Sequence, residues 1–212
     1  SRTPVIPPLE SVKLPEAGSL PEAVLDVAGR RNVSTSDEDR LRHSGGQSYA
    51  DLLERRSGTV ADAPDAVVAI DSVEHITALL EACARHSVAV VPYGGGTSVV
   101  GGVRPTRGDF ERVISLDTVN LRGVAIDHVS RTATLGAGLR GPEAEAALNE
   151  AGFTLGHFPQ SFEYATIGGF AATRSAGQAS SGYGRFDSLV SSIRMATPSG
   201  LLSTLETPHT AI

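Results

Sequence analysis

The stretch Pro92-Tyr93-Gly94-Gly95-Gly96-Thr97-Ser98-Val99-Val100-Gly101-Gly102 constrains this chain more than any other. Five of its eleven residues are glycine, and it follows directly on the apolar run Val88-Ala89-Val90-Val91, which reads as a buried strand. Glycine costs backbone entropy, so a cluster of it at a strand end calls for a reason. One reason is a main chain that passes very close to another group with its N–H bonds turned outward. Successive amides in such a turn make a concave nest that attracts anions, phosphate above all. Thr97 and Ser98 add hydroxyl donors without bulk. A flexible surface turn is the competing reading of three glycines taken alone. The strand before them and the glycine pair after them favour the phosphate cradle.

Two well-known cradles do not fit. Gly96 and Gly101 have the spacing of a mononucleotide P-loop, but Gly102 and Val103 stand where that motif needs Lys and Ser or Thr. Gly94 and Gly96 begin a G-x-G-x-x-G dinucleotide fingerprint, and Val99 occupies its third glycine. The loop is of a third kind, with main-chain dipoles in place of a lysine.

The flanking sequence supplies the setting. Ala66 to Ile70 reads as a buried strand, Asp71-Ser72 as a helix N-cap, and Val73, Ile76, Leu79, Leu80 and Cys83 as one apolar helix face. With Val88 to Val91 this makes a right-handed βαβ unit and hence two parallel strands, so the glycine loop leaves a carboxyl end, where open α/β sheets bind ligands. Val113 to Asp117 is the next strand, followed by an antiparallel pair at 124–129 and 132–136. A helix opens at Gly141-Pro142 with Ala144, Ala147, Leu148 and Ala151 toward the core. Residues 165–173 turn into a short helix, and a hairpin follows around Pro198-Ser199-Gly200. Near the start, short helices are expected at about 21–28 and 49–55, and Ser34 to Asp39 carries helix-capping residues. Five of the twelve prolines lie in residues 1–33, and Pro4, Pro7 and Pro8 suggest an extended arm. Residues 1–60 are read as an arm with short helices and 61–212 as the main domain.

A second motif lies downstream: Gly156-His157-Phe158-Pro159-Gln160-Ser161-Phe162-Glu163-Tyr164-Ala165-Thr166-Ile167-Gly168-Gly169-Phe170, continuing through Thr173-Arg174-Ser175-Ala176-Gly177. The glycine loop and this segment, in this order, resemble the FAD-binding (PCMH-type) domain of the vanillyl-alcohol oxidase superfamily, nearest the alkyldihydroxyacetonephosphate synthase branch. The resemblance covers roughly residues 34–205. It implies an α+β, two-lobed domain, a small parallel βαβ lobe plus an antiparallel sheet with helices, with FAD between the lobes. By that resemblance the FAD contacts are Pro92 to Ser98 with Gly101 and Gly102, Gln160 to Thr166 with Gly168 and Gly169, and Thr173, Arg174, Ser175 and Ala176. Side chains at Gly95 or Gly96 would then fill the space of the phosphate, and Gly168 and Gly169 would admit the flavin or its ribityl chain. Arg174 is read either as a positive charge near the isoalloxazine or as a surface arginine. His157 is the one catalytic candidate in this span, beside the alternative of a structural histidine bridging loop backbones. His43, in Arg42-His43-Ser44-Gly45-Gly46, matches a segment preceding the flavin domain and is read as solvent-exposed, beside the alternative of a place near the substrate. Covalent attachment in the superfamily uses a histidine beside the glycines; the 92–102 stretch has neither His nor Cys, so the FAD is expected to be non-covalent.

Composition narrows the classes. With 18 basic and 24 acidic residues the chain carries a net charge of −6, and Lys13 is its single lysine, which argues against nucleic acid. Cys83 alone excludes an internal disulfide. No His cluster suggests a metal, and no G-x-S-x-G supports a hydrolase. No signal-peptide or membrane-span pattern is visible, so a cytoplasmic protein is expected, with peripheral membrane contact through other regions and a homodimer left open. The start at Ser1 suggests a processed chain. The stop at Ile212 precedes the family's E-G-T-L-G strand and substrate cap, so the flavin domain is expected to be truncated and by itself inactive. Three functions stay open: an ether-lipid synthase exchanging acyl for alkyl through a flavin adduct, an FAD-linked oxidase of a 2-hydroxy acid such as D-lactate or glycolate, and a non-catalytic nucleotide-binding module. The substrate is small or lipid-like in the first two.

Overall fold

The computed structural model describes residues 7, 8 and 11–204; Pro4 and the residues from 205 onward lie outside them. The chain forms helix α1 (Glu22–Ala28), a 3-10 turn (Arg30–Asn32), strand β1 (Val33–Ser34), α2 (Asp37–Arg42) and α3 (Tyr49–Ser57). Then come β2 (Ala66–Ala69), α4 (Val73–Arg85), β3 (Val88–Tyr93), β4 (Arg112–Asp117), β5 (Val124–Asp127), β6 (Thr132–Leu135) and α5 (Gly141–Glu150). The last elements are α6 (Ile167–Thr173), α7 (Ser180–Tyr183), α8 (Phe186–Leu189), β7 (Arg194–Thr197) and β8 (Gly200–Ser203).

Helices α2, α3 and α4 start where the sequence offers an oxygen to their free amides. The hydroxyls of Ser36, Ser48 and Ser72 accept from the amides of Asp39, Asp51 and His75. In α4 the buried face is Ile76, Leu79, Ala82 and Cys83, while Val73 and Leu80 are only half-buried at its margin. That face joins Ala66, Val68, Ile70, Val88, Ile114 and Leu116 from the strands in one core.

The strands run in the order β1-β2-β4-β3, with β2 and β3 both parallel to β4 and β1 antiparallel to β2. β2 and β3 are parallel, as the βαβ reading expects, but they are not neighbours, because β4 inserts between them. The reason is burial. Val113, Ile114, Ser115 and Leu116 are all buried, so β4 is the segment that belongs in the middle of the sheet. The consequence is that β3, and the glycine loop it feeds, sits at a sheet edge.

The N-terminal segment shares this core, since Leu20, Val24 and Ala28 are buried in it and β1 pairs with β2. A second core gathers Leu139, Ala144, Ala165, Ile167, Phe170 and Phe186. The antiparallel part is two separate pairs, β5 with β6 and β7 with β8, and the latter packs on α4. The fold is α+β with a parallel sheet, antiparallel pairs and two cores. Among the described residues no helix is long and apolar enough to cross a membrane.

Candidate cofactor-binding site

The hydrogen-bond ladder of β3 ends at Tyr93, whose carbonyl accepts from the amide and hydroxyl of Thr118 at 2.9 and 3.1 Å. From there the main chain stops pairing. None of the amides of residues 94–99 donates to another described residue, whereas Val100 and Gly102 donate to the Ser98 hydroxyl at 3.4 and 3.0 Å. Gly96 takes φ +65°, a left-handed turn that glycine adopts without cost. A run of consecutive unpaired donors after a parallel strand has the chemistry of an anion nest.

The glycines are needed for a different reason than the sequence suggests. A Cβ on Gly95 would lie 1.9 Å from the Tyr164 carbonyl oxygen, one on Gly94 would lie 2.4 Å from Thr166 Oγ1, and one on Gly96 would lie 2.1 Å from the Tyr93 hydroxyl. Their missing side chains make room for neighbouring protein atoms. Gly168 is likewise explained by Ala137, whose Cβ a new side chain would meet at 2.8 Å, and Gly169 by Thr166 Oγ1 at 3.3 Å. Protein neighbours thus already account for these glycines: at Gly95 the loop packs backbone on backbone, and at Gly94, Gly96, Gly168 and Gly169 the chain packs on side chains. Gly101 takes φ +74° with open space around its Cα, and Gly102 is exposed.

That packing brings the two sequence motifs together. Ala165 and Thr166 are buried beneath the loop, and Thr166 caps α6 by accepting from Gly169 N at 3.2 Å. A β-bridge joins Arg140 and Thr166. The amides of Gly141, Ile167 and Gly168 bond the carbonyls of Ala165, Leu139 and Ala137 and fix the segment to the second core. Gln160, Glu163 and Tyr164 are exposed, while Ser161 and Phe162 are half-buried.

Farther along, Thr173, Arg174 and Ala176 are exposed and Ser175 is half-buried. Arg174 has φ +50° and pairs with Asp187 at 2.8 Å. The Arg174 hydrogen bond, aided by Arg185, holds the Asp187 carboxyl below its ordinary range. His157 is 1% exposed, its ring 4.9 Å from that of Phe170 and 5.1 Å from that of Phe186. Its Nε2 meets Ser175 Oγ at 3.0 Å, Nδ1 has no partner, and burial lowers its pKa.

The segment 42–47 is the part of the site that motif reading left aside. His43 is 7% exposed rather than solvated, which corrects the expectation. Its Nδ1 donates to the Asp39 carbonyl at 2.8 Å, its Nε2 lies 3.1 Å from Asp117 Oδ2, and its ring sits 4.2 Å from Tyr93. Burial, with the charge of Asp117 adding to it, raises the Tyr93 pKa, and the phenol donates to the Arg42 carbonyl at 2.9 Å. The signal was present as His43-Ser44-Gly45-Gly46, whose small residues let this segment bury. Arg104 was missed outright: it binds Asp62 and Glu54 at 2.7 Å each and reaches Asp51 at 3.4 Å, tying the loop's exit to α3.

A parallel sheet whose edge strand ends in an unpaired amide loop, packed against a second core, has the features of a nucleotide-binding domain. The FAD binding domain family model matches residues 64–206, and the chain belongs to that family, within the vanillyl-alcohol oxidase (PCMH-type) group. An alkyldihydroxyacetonephosphate synthase from Trypanosoma brucei brucei is 38% identical over 174 residues, which are 81% of this chain and 28% of that protein. A solved structure of alkyldihydroxyacetonephosphate synthase superposes with a TM-score of 0.90 at 31% identity, covering 99% of this chain and 39% of that one. Glycolate oxidase subunit GlcD of Bacillus subtilis (strain 168) is 31% identical over 163 residues, 77% of this chain and 32% of that protein. The chain thus spans between 28% and 39% of these relatives' lengths. FAD is the cofactor, and the amides of 94–99 fit its diphosphate.

Proposed function

We propose that this chain holds FAD for an enzyme resembling alkyldihydroxyacetonephosphate synthase, with the diphosphate on the amides of residues 94–99. The observation that carries the reading is that run of unpaired donors, held in place by the 164–166 backbone. When bound, FAD supplies an electron-accepting ring system; the chain's own residues bind and orient it. Gln160 to Thr166 and Thr173 to Ala176 flank it on the second lobe. Binding is dissociable in this reading, since the glycine loop has no nucleophilic His or Cys and both nitrogens of the nearby His43 already have partners. His157 acts here as a packed, neutral ring rather than a proton carrier, because it is enclosed by Phe170 and Phe186. Arg174 is a surface arginine paired with Asp187.

Titrating the cofactor-free protein with FAD while following flavin fluorescence tests the proposal. Saturable quenching at one equivalent is expected. FAD left free at about 1 mM, the limit of weak binding, would overturn it. Similarity to a glycolate oxidase subunit supports a second reading, an oxidase of a 2-hydroxy acid. Anaerobic mixing of glycolate or D-lactate with a whole FAD-loaded enzyme of the relatives' length that carries this domain separates the two, because only the oxidase bleaches the flavin.

A further inference from the structure

We infer that residues 42–47, which lie outside the 64–206 family match, are a clamp that sets the shape of the FAD loop, with His43 and Tyr93 as positioning residues. The inference rests on the proposed place of the diphosphate. The clamp touches the loop at both ends. At the entry, the Tyr93 ring lies beneath Gly96, close enough that a Cβ there would fall 2.1 Å from the phenol oxygen. That ring is held by the His43 ring at 4.2 Å and by the bond from its hydroxyl to the Arg42 carbonyl at 2.9 Å. His43 is fixed in turn by Asp39 and by Asp117, the β4 residue opposite Tyr93 in the ladder. At the exit, the Gln47 amide donates to the Ser98 carbonyl at 2.6 Å, and Gly46 presses so close that a Cβ would lie 2.2 Å from the same oxygen.

The five amides of residues 94–98 therefore run between two fixed points, Tyr93 and Ser98, both gripped by one six-residue segment, while Gly95 rests on the Tyr164 backbone between them. The segment is anchored by groups outside residues 94–98. The Gly46 amide donates to Asp51 at 3.1 Å, Arg55 bonds the Gly46 carbonyl, and Arg104 joins Asp51 to Asp62. Unpaired amides cannot hold a concave shape by their own hydrogen bonds, so the shape has to be imposed from outside. Holding it before the ligand arrives lowers the ordering cost of binding.

Tyr93→Phe removes one hydrogen bond and keeps the ring, so it is the variant least able to disturb folding; His43→Ala and Gly46→Ala remove the two grips. Two readouts are needed: the FAD dissociation constant, and amide NMR order parameters of residues 94–98 in the cofactor-free protein. FAD binding is expected to weaken about threefold in Tyr93→Phe and about tenfold in the other two, in keeping with the loss of one and of several contacts. The loop order parameters are expected to fall from about 0.85 toward 0.6. Unchanged order parameters and unchanged affinity in all three variants overturn the clamp. So does weaker FAD binding with the loop as rigid as in the parent, because that pattern belongs to direct contact or global damage. If the parent protein binds no FAD, the functional reading fails, and the order parameters alone still decide the clamp.

Discussion

Replacing Gly95 by alanine separates two explanations of the glycine loop. The new Cβ would stand 1.9 Å from the Tyr164 oxygen, 2.6 Å from its carbonyl carbon and 2.9 Å from Ala165 Cα. Ordinary contact begins at 3.4 Å, so the two backbones must part by about 1.5 Å, the difference from 1.9 Å. Both are main chain, so no side chain can swing aside. Overpacking of this kind costs about 1–3 kcal/mol. For a chain of this size that lowers the melting temperature of the cofactor-free protein by about 2–12 °C. If the displaced loop also loses its fit to the diphosphate, a like cost in binding weakens FAD by about 5–150-fold. Gly123→Ala is the control, since a Cβ there meets nothing within 4 Å and its φ is not left-handed. Scanning calorimetry without FAD and fluorescence titration with it give the two numbers. Were the glycine needed only to admit a phosphate, the cofactor-free melting temperature would not move. An unchanged value in Gly95→Ala refutes the packing of residues 94–98 on 164–166.

Three further outcomes are expected. His157 is held neutral by burial while the unfolded chain takes up a proton near pH 6.5, so the folded state loses stability as pH falls through 6.5; His157→Phe keeps the ring packing and flattens that slope between pH 7.5 and 5, as thermal melts at each pH will record. Burial pushes the Cys83 thiol up to about 12, so iodoacetamide at pH 8 should leave the native protein unmodified and label it in urea. The same shift costs stability as pH rises above about 8.5, where only the unfolded thiol ionises. Arg104→Met leaves the carboxylate of Asp51, which is 4% exposed, with the Gly46 amide but without its cation, and should cost about 1–3 kcal/mol in urea denaturation, most of it from Asp51 because Glu54 and Asp62 keep access to water.

The motifs were legible because glycine and proline act locally. Pro142 opens α5 and Ser72 caps α4, as their positions in the sequence suggest. Helix periodicity found Ile76, Leu79 and Cys83 for the same reason: a 3.6-residue repeat is written in the chain itself. The insertion of β4 between β2 and β3 was not legible, because all three are mainly apolar runs and such a run does not name its neighbour. His43 was misjudged because nothing in its local sequence shows Tyr93 and Asp117 waiting 50 and 74 residues away.

By itself the sequence determined that a strand would end in a lysine-free turn of glycines and that a second glycine-bearing segment would follow it. Those are statements about backbone freedom, which each residue carries with it. Only the tertiary structure decided what the glycines make room for, since the direction of a missing Cβ has meaning only once Tyr164, Thr166 and Tyr93 are in place around it. It also decided which residues brace the loop, because contacts between residues 42–47, 93–98 and 164–166 exist only after the chain has closed on itself.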